Sequence, residues 1–319
     1  MPHLPTSSTH LSPPSVPVNS LQVDCPAKIN WLLNVTGPRP DGYHDVVTIL
    51  QALASPALSD TLVVTALDEA DQPYHLRTGD ALLDSVPEQN LISRAYAVFA
   101  TTYLETTGQP ITDTLTGIEV QLTKRIPMQA GLGGGSSNAA AMLNVLNQLT
   151  GTPLTTEQLT QLARSLGADV PFFLQGGVAL GAGRGDALTP IPGPGKPLTL
   201  LVVKDRHLAS ATAAAYQKLR QRNQYQTVDP QPMMEALQAG DPDAIEAALY
   251  NDFETVLMAG HPGYQAIISG LQQLGVRRPF LCGSGAAMAG LLRTPPDEPA
   301  LAEIFPAEGF YTALAATAS

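Results

Sequence analysis

From Leu21 onward apolar and polar positions alternate. Ala27, Ile29, Trp31, Leu33 and Val35 take one parity, and Lys28, Asn30, Leu32 and Asn34 the other. A period of two predicts a strand with Lys28 and Asn30 on the same face. On spacing alone that pair fits a solvated outer face as well as a site. Thr36-Gly37-Pro38-Arg39-Pro40-Asp41-Gly42 then reads as a turn, and Tyr43-His44 leads into a second strand around Val46 to Leu50. Further short strands are predicted at Thr61 to Leu67 and Tyr74 to Arg77, while Ile118, Val120 and Leu122 alternate in a strand that feeds Lys124. Helical periodicity begins at Asn90, which caps a helix through Tyr103 with Leu91, Ala95 and Val98 on one side. Thr155 and Gln158 form a capping box for a second helix, which carries Leu159, Leu162 and Leu166 inward and stops at Gly167. Gly176 through Leu188 predicts a hairpin turning at Gly181 to Asp186. The Pro/Gly-rich run Pro190 to Pro197 reads as a domain boundary. Beyond it, Leu198 to Val203 is a buried strand, with helices near Ser210 to Arg220, Pro232 to Leu237, Ile245 to Leu257 and Tyr264 to Leu274.

The chain of 319 residues has room for two modest domains with real cores, and its 44% hydrophobic content is ordinary for a globular protein. Residues 1–20 are rich in Pro, Ser and Thr, contain no charged side chain, and are expected to be a disordered tail. They carry neither a basic and apolar leader pattern nor the arginines of a transit peptide. No apolar run approaches the ~20 residues of a membrane span. The formal net charge of −11 argues against a long basic face for nucleic acid, so any phosphate binding has to be local. Cys25 and Cys282 match neither a disulfide framework nor a metal-ligand spacing, which points to a cytoplasmic setting.

The most informative stretch is Pro127-Met128-Gln129-Ala130-Gly131-Leu132-Gly133-Gly134-Gly135-Ser136-Ser137-Asn138, followed by an Ala- and Leu-rich run. Glycines take positive φ and let backbone N–H groups approach an anion. With Ser136, Ser137 or Asn138 capping the next helix, its positive end faces the loop, and loop and helix together suit a phosphate. A plain glycine turn before a helix is the simpler alternative. The lack of a Gly-Lys-Ser/Thr ending counts against a Walker A loop, and no acidic residue is placed as a dinucleotide fold requires.

This loop resembles the phosphate loop of the GHMP kinases, and its triple-glycine form is similar to that of the 4-diphosphocytidyl-2-C-methyl-D-erythritol kinase family. Two further motifs are similar to that family and stand in the right order. Pro26-Ala27-Lys28-Ile29-Asn30 with Gly37-Pro38-Arg39-Pro40-Asp41-Gly42-Tyr43-His44 comes first, and Phe280-Leu281-Cys282-Gly283-Ser284-Gly285-Ala286 comes third. The resemblance spans roughly residues 21–316. It implies an α+β, two-domain GHMP kinase fold: a tail at 1–20, an ATP-binding, ribosomal-protein-like domain at 21–190, a C-terminal α/β sandwich at 191–319, and the active site in the cleft between them. The implied reaction is ATP-dependent phosphorylation of the 2-hydroxyl of the diphosphocytidyl-methylerythritol substrate, in the non-mevalonate isoprenoid route.

Several site residues follow from the same resemblance. Asp169, in Gly167-Ala168-Asp169-Val170-Pro171-Phe172-Phe173, stands where the family has its catalytic aspartate, although an Asp before Val-Pro is equally a turn residue. Lys28 is the cation that keeps Asp169 ionised and stabilises the transferring phosphoryl group. The ATP site is expected from Lys124 and from residues Met128, Gln129, Ala130, Gly131, Leu132, Gly133, Gly134, Gly135, Ser136, Ser137 and Asn138, with Gly283, Ser284 and Gly285 as a second glycine turn near the phosphates. Mg²⁺ must bridge the ATP oxygens; the hydroxyls of Ser136 and Ser137 and the carboxylate of Asp169 are its possible protein ligands. Tyr43, His44 and Tyr216 offer a cytosine a stacking surface and polar edge contacts, with Asn30 and Thr212 near the methylerythritol. Asn251-Asp252-Phe253-Glu254 is similar to a structural helix of the family. No nucleic acid or membrane partner is expected, and the chain is expected to be a monomer or weak homodimer. A GHMP kinase for another small alcohol, such as homoserine or mevalonate, and a non-catalytic nucleotide-binding relative are the competing readings.

Overall fold

The computed structural model describes residues 20–80, 86–210, 212–222 and 224–318. The expected tail therefore lies outside the described residues except for Ser20, which opens the first strand and places its hydroxyl 2.8 Å from that of Thr65. The first half of the chain gives β1 (Ser20–Pro26), β2 (Lys28–Pro38), β3 (His44–Ala54), β4 (Ser59–Leu67), β5 (Tyr74–Arg77), α1 (Leu91–Thr107), β6 (Gly117–Thr123), α2 (Gly134–Leu149), α3 (Thr156–Leu166), α4 (Val170–Gln175), β7 (Val178–Ala182) and β8 (Ala187–Pro190). Then come β9 (Thr199–Asp205), α5 (Thr212–Arg222), α6 (Gln231–Ala239), α7 (Pro242–Ala248), β10 (Tyr250–Asn251), α8 (Glu254–Leu257), α9 (Pro262–Gln273), β11 (Phe280–Leu281), β12 (Met288–Leu291), α10 (Glu298–Ile304) and β13 (Phe310–Thr317).

Two sheets organise these elements. The smaller has the order β1-β4-β6-β5, antiparallel except for the β5/β6 pair. Its alternating residues Leu62, Val64, Ile118 and Val120 pack with Phe99 of α1 and with Met142, Leu143 and Leu146 of α2. Each such side chain taken out of water stabilises the fold by about 1.5–3 kcal/mol. The larger sheet runs β10-β2-β3-β13-β9-β12-β11, with the β7/β8 hairpin attached to β3. Strands from both sides of residues 190–197 thus share one sheet, joined where Ala54 and Leu53 of β3 pair with Ala316 and Thr317 of β13.

The β pattern expected from Leu21 is two strands that part at Ala27: β1 belongs to the small sheet and β2 to the large one. β2 is covered on both sides, Trp31 and Ile29 clustering with Met233, Leu237 and Ile245, and Leu33 and Val35 with Leu219, Phe253 and Ile267. Lys28 and Asn30 are consequently buried, which excludes the solvated outer face. The helix after Asn90 forms as expected, Asn90 Oδ1 accepting from Ile92 N at 3.0 Å, but its inward face is Ile92, Ala95, Phe99 and Tyr103. Leu91 and Val98 lie to the side of that stripe and are half-buried. The single helix expected over Ile245 to Leu257 is interrupted by β10, which pairs in parallel with Leu32 and Leu33 of β2. The Asn251-Asp252-Phe253-Glu254 segment accordingly crosses from strand to short helix. There Asp252 Oδ2 accepts from Val35 N at 2.6 Å, and Asn251 Oδ1 caps the turn by accepting from Phe253 N at 3.0 Å.

One buried acid positions the start of α2. Asp60, at the head of β4 and fully buried, accepts from Arg125 N at 2.7 Å, Ile126 N at 2.9 Å and Asn138 Nδ2 at 3.0 Å, and pairs with the Lys124 ammonium. Removing the carboxylate strands two backbone amides, the Asn138 side-chain amide and a partly buried cation. Asp60→Ala is expected to lower the unfolding free energy by about 3–5 kcal/mol in urea titration, and Asp60→Asn by less, because its amide oxygen still accepts. A change below about 0.5 kcal/mol in Asp60→Ala would remove this network from the account.

Candidate active site

A cleft of about 900 Å³ opens between the start of β2, the glycine loop, Asp169 and α5. Lys28 stands in its wall with 3% of its surface exposed. Its ammonium donates to Asn30 Oδ1 at 2.8 Å and lies 3.4 Å from Asp169 Oδ2. Asn30 Nδ2 donates in turn to Thr48 Oγ1 at 2.8 Å, and Thr48 Oγ1 donates to Leu32 O at 2.7 Å. Every polar atom in this row has a fixed direction, so the ammonium is aimed by the sheet. Asp169 reaches it because α3 stops at Gly167 and α4 begins at Val170 with Pro171 in its first turn. Asp169 is the N-cap residue of α4, yet its side chain makes no capping bond and stays 38% exposed toward the cleft.

The glycine loop does join the N-terminus of a helix, with one difference from expectation. The N-cap of α2 is Gly133, in the left-handed region at φ 74°, and no side chain caps the helix. Gly134, Gly135 and Ser136 form its first turn, so their amides lack intrahelical acceptors and border the cleft. Ser137 turns inward, its Oγ buried and without a hydrogen-bond partner among the described residues. Lys124 and Asn138 line the cleft while both bond to Asp60, and Lys124 Nζ also donates to Asn138 Oδ1 at 3.2 Å. Met128, Gln129, Ala130 and Leu132 complete the loop's share of the lining.

Two glycines serve the contact between loops, a reason the glycine spacing did not disclose. A Cβ on Gly131 would stand 1.9 Å from Cys282 O, and one on Gly283 would meet Gly131 O at 2.9 Å and Lys28 Nζ at 3.2 Å. Ala286 N donates to Gln129 O and Ala287 N to Ala130 O, both at 3.1 Å, so the second and third motifs are held backbone to backbone. Asn251 braces the third motif from behind, donating to Leu281 O at 3.0 Å and Gly283 O at 2.8 Å. Glu254 Oε1 accepts from Leu281 N at 3.0 Å, and its burial raises its pKa. Burial likewise pushes the Cys282 thiol up to about 12, which keeps it inert. Ser284 binds α5 through Thr212, hydroxyl to hydroxyl at 2.9 Å, and Ser210 Oγ donates to Ser284 O at 2.6 Å; Gly285 packs beside Ser210 and the Tyr264 hydroxyl.

Aromatic side chains form the remaining wall. The His44 and Tyr216 rings stack with centroids 4.7 Å apart, and Tyr216 meets Phe253 edge-on at 4.9 Å. Burial, helped by the Asp169 charge, pushes the Tyr216 phenol up to about 12. Tyr43 is 53% exposed, with the Arg184 guanidinium 3.7 Å over its ring centroid. Arg184, from the β7/β8 turn, and Arg220, from α5, also line the cleft, as do Gln89 and Leu91 on either side of Asn90, and the sequence assigns none of the four to the site. A long cation between two glycines at a hairpin tip was a signal available for Arg184. Nothing local marked Arg220.

The chain matches the GHMP kinases N terminal domain over residues 90–177 and the GHMP kinases C terminal over residues 233–311. It is 34% identical to the 4-diphosphocytidyl-2-C-methyl-D-erythritol kinase of Synechocystis sp. over 86% of this chain and 88% of that one. Against the same kinase of Moorella thermoacetica the identity is 38%, over 83% of this chain and 87% of the relative. A crystal structure of a 4-(cytidine 5'-diphospho)-2C-methyl-D-erythritol kinase matches with a TM-score of 0.73 and 32% identity, covering 94% of this chain and 100% of that one. A homoserine kinase from Cytophaga hutchinsonii, at TM-score 0.67 and 20% identity over 95% of this chain and 96% of that one, shares the fold. With that identity extending over most of both chains, the protein belongs to the 4-diphosphocytidyl-2-C-methyl-D-erythritol kinase family of GHMP kinases.

Proposed function

We propose that this chain transfers the γ-phosphoryl group of ATP to the 2-hydroxyl of 4-diphosphocytidyl-2-C-methyl-D-erythritol, releasing ADP and the 2-phosphate in the non-mevalonate isoprenoid route. The observation that carries the mechanism is the Lys28–Asp169 pair, 3.4 Å apart, in a cleft bordered by both a helix N-terminus and an aromatic wall. Phosphoryl transfer asks a protein mainly for alignment and charge stabilisation. The free amides of Gly134, Gly135 and Ser136 suit the phosphate oxygens, and the helix behind them adds its positive end. The substrate hydroxyl attacks the γ-phosphorus as the bond from that phosphorus to the ADP oxygen breaks, and the hydroxyl proton passes to Asp169. Lys28, paired with Asp169 at 3.4 Å, orients that carboxylate and faces the charge that develops on the transferring group. Asn30 orients the Lys28 ammonium, and Thr212 stands near the methylerythritol part.

Among the described residues no group of three or more His, Cys, Asp and Glu could hold a metal ion by itself. The donors that do border the cleft, the Ser136 hydroxyl and the Asp169 carboxylate, are hard oxygens, and they fit a Mg²⁺ that keeps most of its shell as phosphate and water. When bound there, Mg²⁺ neutralises phosphate charge. Tyr43 offers its exposed ring to the cytosine, and Tyr216 with His44 closes the wall. Residues 21–190 serve as the ATP-binding part and residues 191–319 as the second part, with the boundary at 190–197. The acidic, cysteine-poor chain suits a cytoplasmic enzyme acting as a monomer or weak homodimer.

Asp169→Asn is expected to keep ATP and substrate affinity within a few-fold while turnover falls about 10²-fold or more, and Lys28→Met to lose a comparable factor. Wild-type turnover in either variant, measured by coupled ADP release, would withdraw that residue from the mechanism. Tyr43→Ala should weaken binding of the cytidylyl substrate about 5- to 150-fold in calorimetric titration, the worth of one stacked base, and leave ATP affinity unchanged. Equal substrate affinity in Tyr43→Ala and wild type would remove the stacking role.

A further inference from the structure

Arg220 reaches from α5 across the mouth of the cleft and makes two bonds to the segment that carries Tyr43. Its Nη2 donates to Gly42 O, and its Nε donates to His44 Nε2 at 3.2 Å. A guanidinium has only donors and stays protonated, so the nitrogen it meets has to be the acceptor. In a neutral imidazole the proton then sits on the other nitrogen. His44 is 6% exposed, and burial first and the Arg220 charge second lower its pKa, so the ring is neutral near pH 7. Nδ1 accordingly carries the hydrogen, and among the described residues it has no hydrogen-bond partner, although His44 lines the cleft. The stack with Tyr216, 4.7 Å between centroids, fixes the plane of the ring, and the bond from Arg220 sets which nitrogen faces it.

Resting on the cytidylyl-substrate reading above, we infer that Arg220 is a positioning residue for substrate choice: it pins the 42–44 segment and fixes His44 as the Nδ1–H tautomer, which presents a donor to the pyrimidine. At N3 cytosine offers an acceptor, whereas uracil carries a hydrogen there and sets donor against donor. A site that meets a buried donor with another donor rejects the wrong base more strongly than one that only loses a contact. Arg220 is itself an exposed residue, so its tie is partly screened and the expected effect is moderate.

The test combines a spectrum with a specificity ratio. Nitrogen-15 NMR of histidine-labelled protein at pH 7 should show His44 as the neutral Nδ1–H form in wild type and as a mixture or the Nε2–H form in Arg220→Ala. In parallel, kcat/KM is measured for the cytidylyl substrate and its uridylyl counterpart. Arg220→Ala should raise KM for the cytidylyl substrate roughly 5- to 20-fold with kcat and the ATP KM nearly unchanged, and should shrink the cytidine preference by a similar factor. Arg220→Lys, which keeps a donor, should recover part of both. An Nε2–H or charged His44 in folded wild type, or an unchanged tautomer and ratio in Arg220→Ala, would overturn the inference. Loss of KM without any change in tautomer or ratio would also overturn it, since that is what a merely structural tie would do. If wild type shows no preference for cytidine, the substrate reading itself fails, and the two failures are thereby told apart.

Discussion

A lysine ammonium held out of water has to be compensated, and the surroundings of Lys28 follow from that demand. Its charge meets the Asn30 amide oxygen at 2.8 Å and the Asp169 carboxylate at 3.4 Å, partners supplied by the same strand and by a distant helix start. An isolated ammonium at 3% exposure would cost several kcal/mol, so the strand, the α3–α4 turn and the Thr48 relay have to keep their places together. The unequal exposure of the two partners is chemically useful. Lys28 is enclosed and directed, while Asp169 keeps 38% of its side chain open to the cleft. Stability of the pair and access to it are thus met by different residues.

The glycine loop and the third-motif turn depend on each other in the same manner. Gly131 and Gly283 lie so close to the facing backbone that neither accepts a Cβ, and two backbone hydrogen bonds seal the contact. Behind them, Asn251 and Glu254 hold the third motif, and Asp60 holds the first turn of α2 from the small sheet. Elements far apart in sequence therefore reach the cleft as one rigid assembly. Rigidity of this kind suits a reaction in which alignment and charge stabilisation supply most of the rate.

The readable part of this arrangement was local. Strand alternation at 118–122, the Asn90 cap and the Thr155/Gln158 box each depend on residues within one turn or one strand, and they appear as their sequence indicates. The order of the three motifs indicated the family without reference to any fold. What escaped notice rests on distance along the chain. Lys28 and Asn30 alternate like surface residues, and only the packing of both faces of β2 buries them. β10 interrupts an apolar run of helical appearance because Tyr250 and Asn251 find a parallel partner in β2, more than 200 residues earlier. Asp60 and Arg220 draw their importance from partners 64 and 176 positions away, and no short window contains both ends of such a bond.

In the proposed reaction one cleft holds ATP and the cytidylyl alcohol in line, with Lys28 and Asp169 beside the transferring group. The most direct measurement is phosphorus-31 NMR of the full chain with ATP, Mg²⁺ and 4-diphosphocytidyl-2-C-methyl-D-erythritol, run beside equal mixtures containing homoserine or mevalonate. ADP should appear in step with a new phosphomonoester signal that lacks three-bond proton coupling, because the 2-carbon of the cytidylyl substrate bears no hydrogen, and the other alcohols should stay unphosphorylated. ADP release without that signal, or phosphorylation of homoserine or mevalonate at a comparable rate, would contradict the proposed reaction.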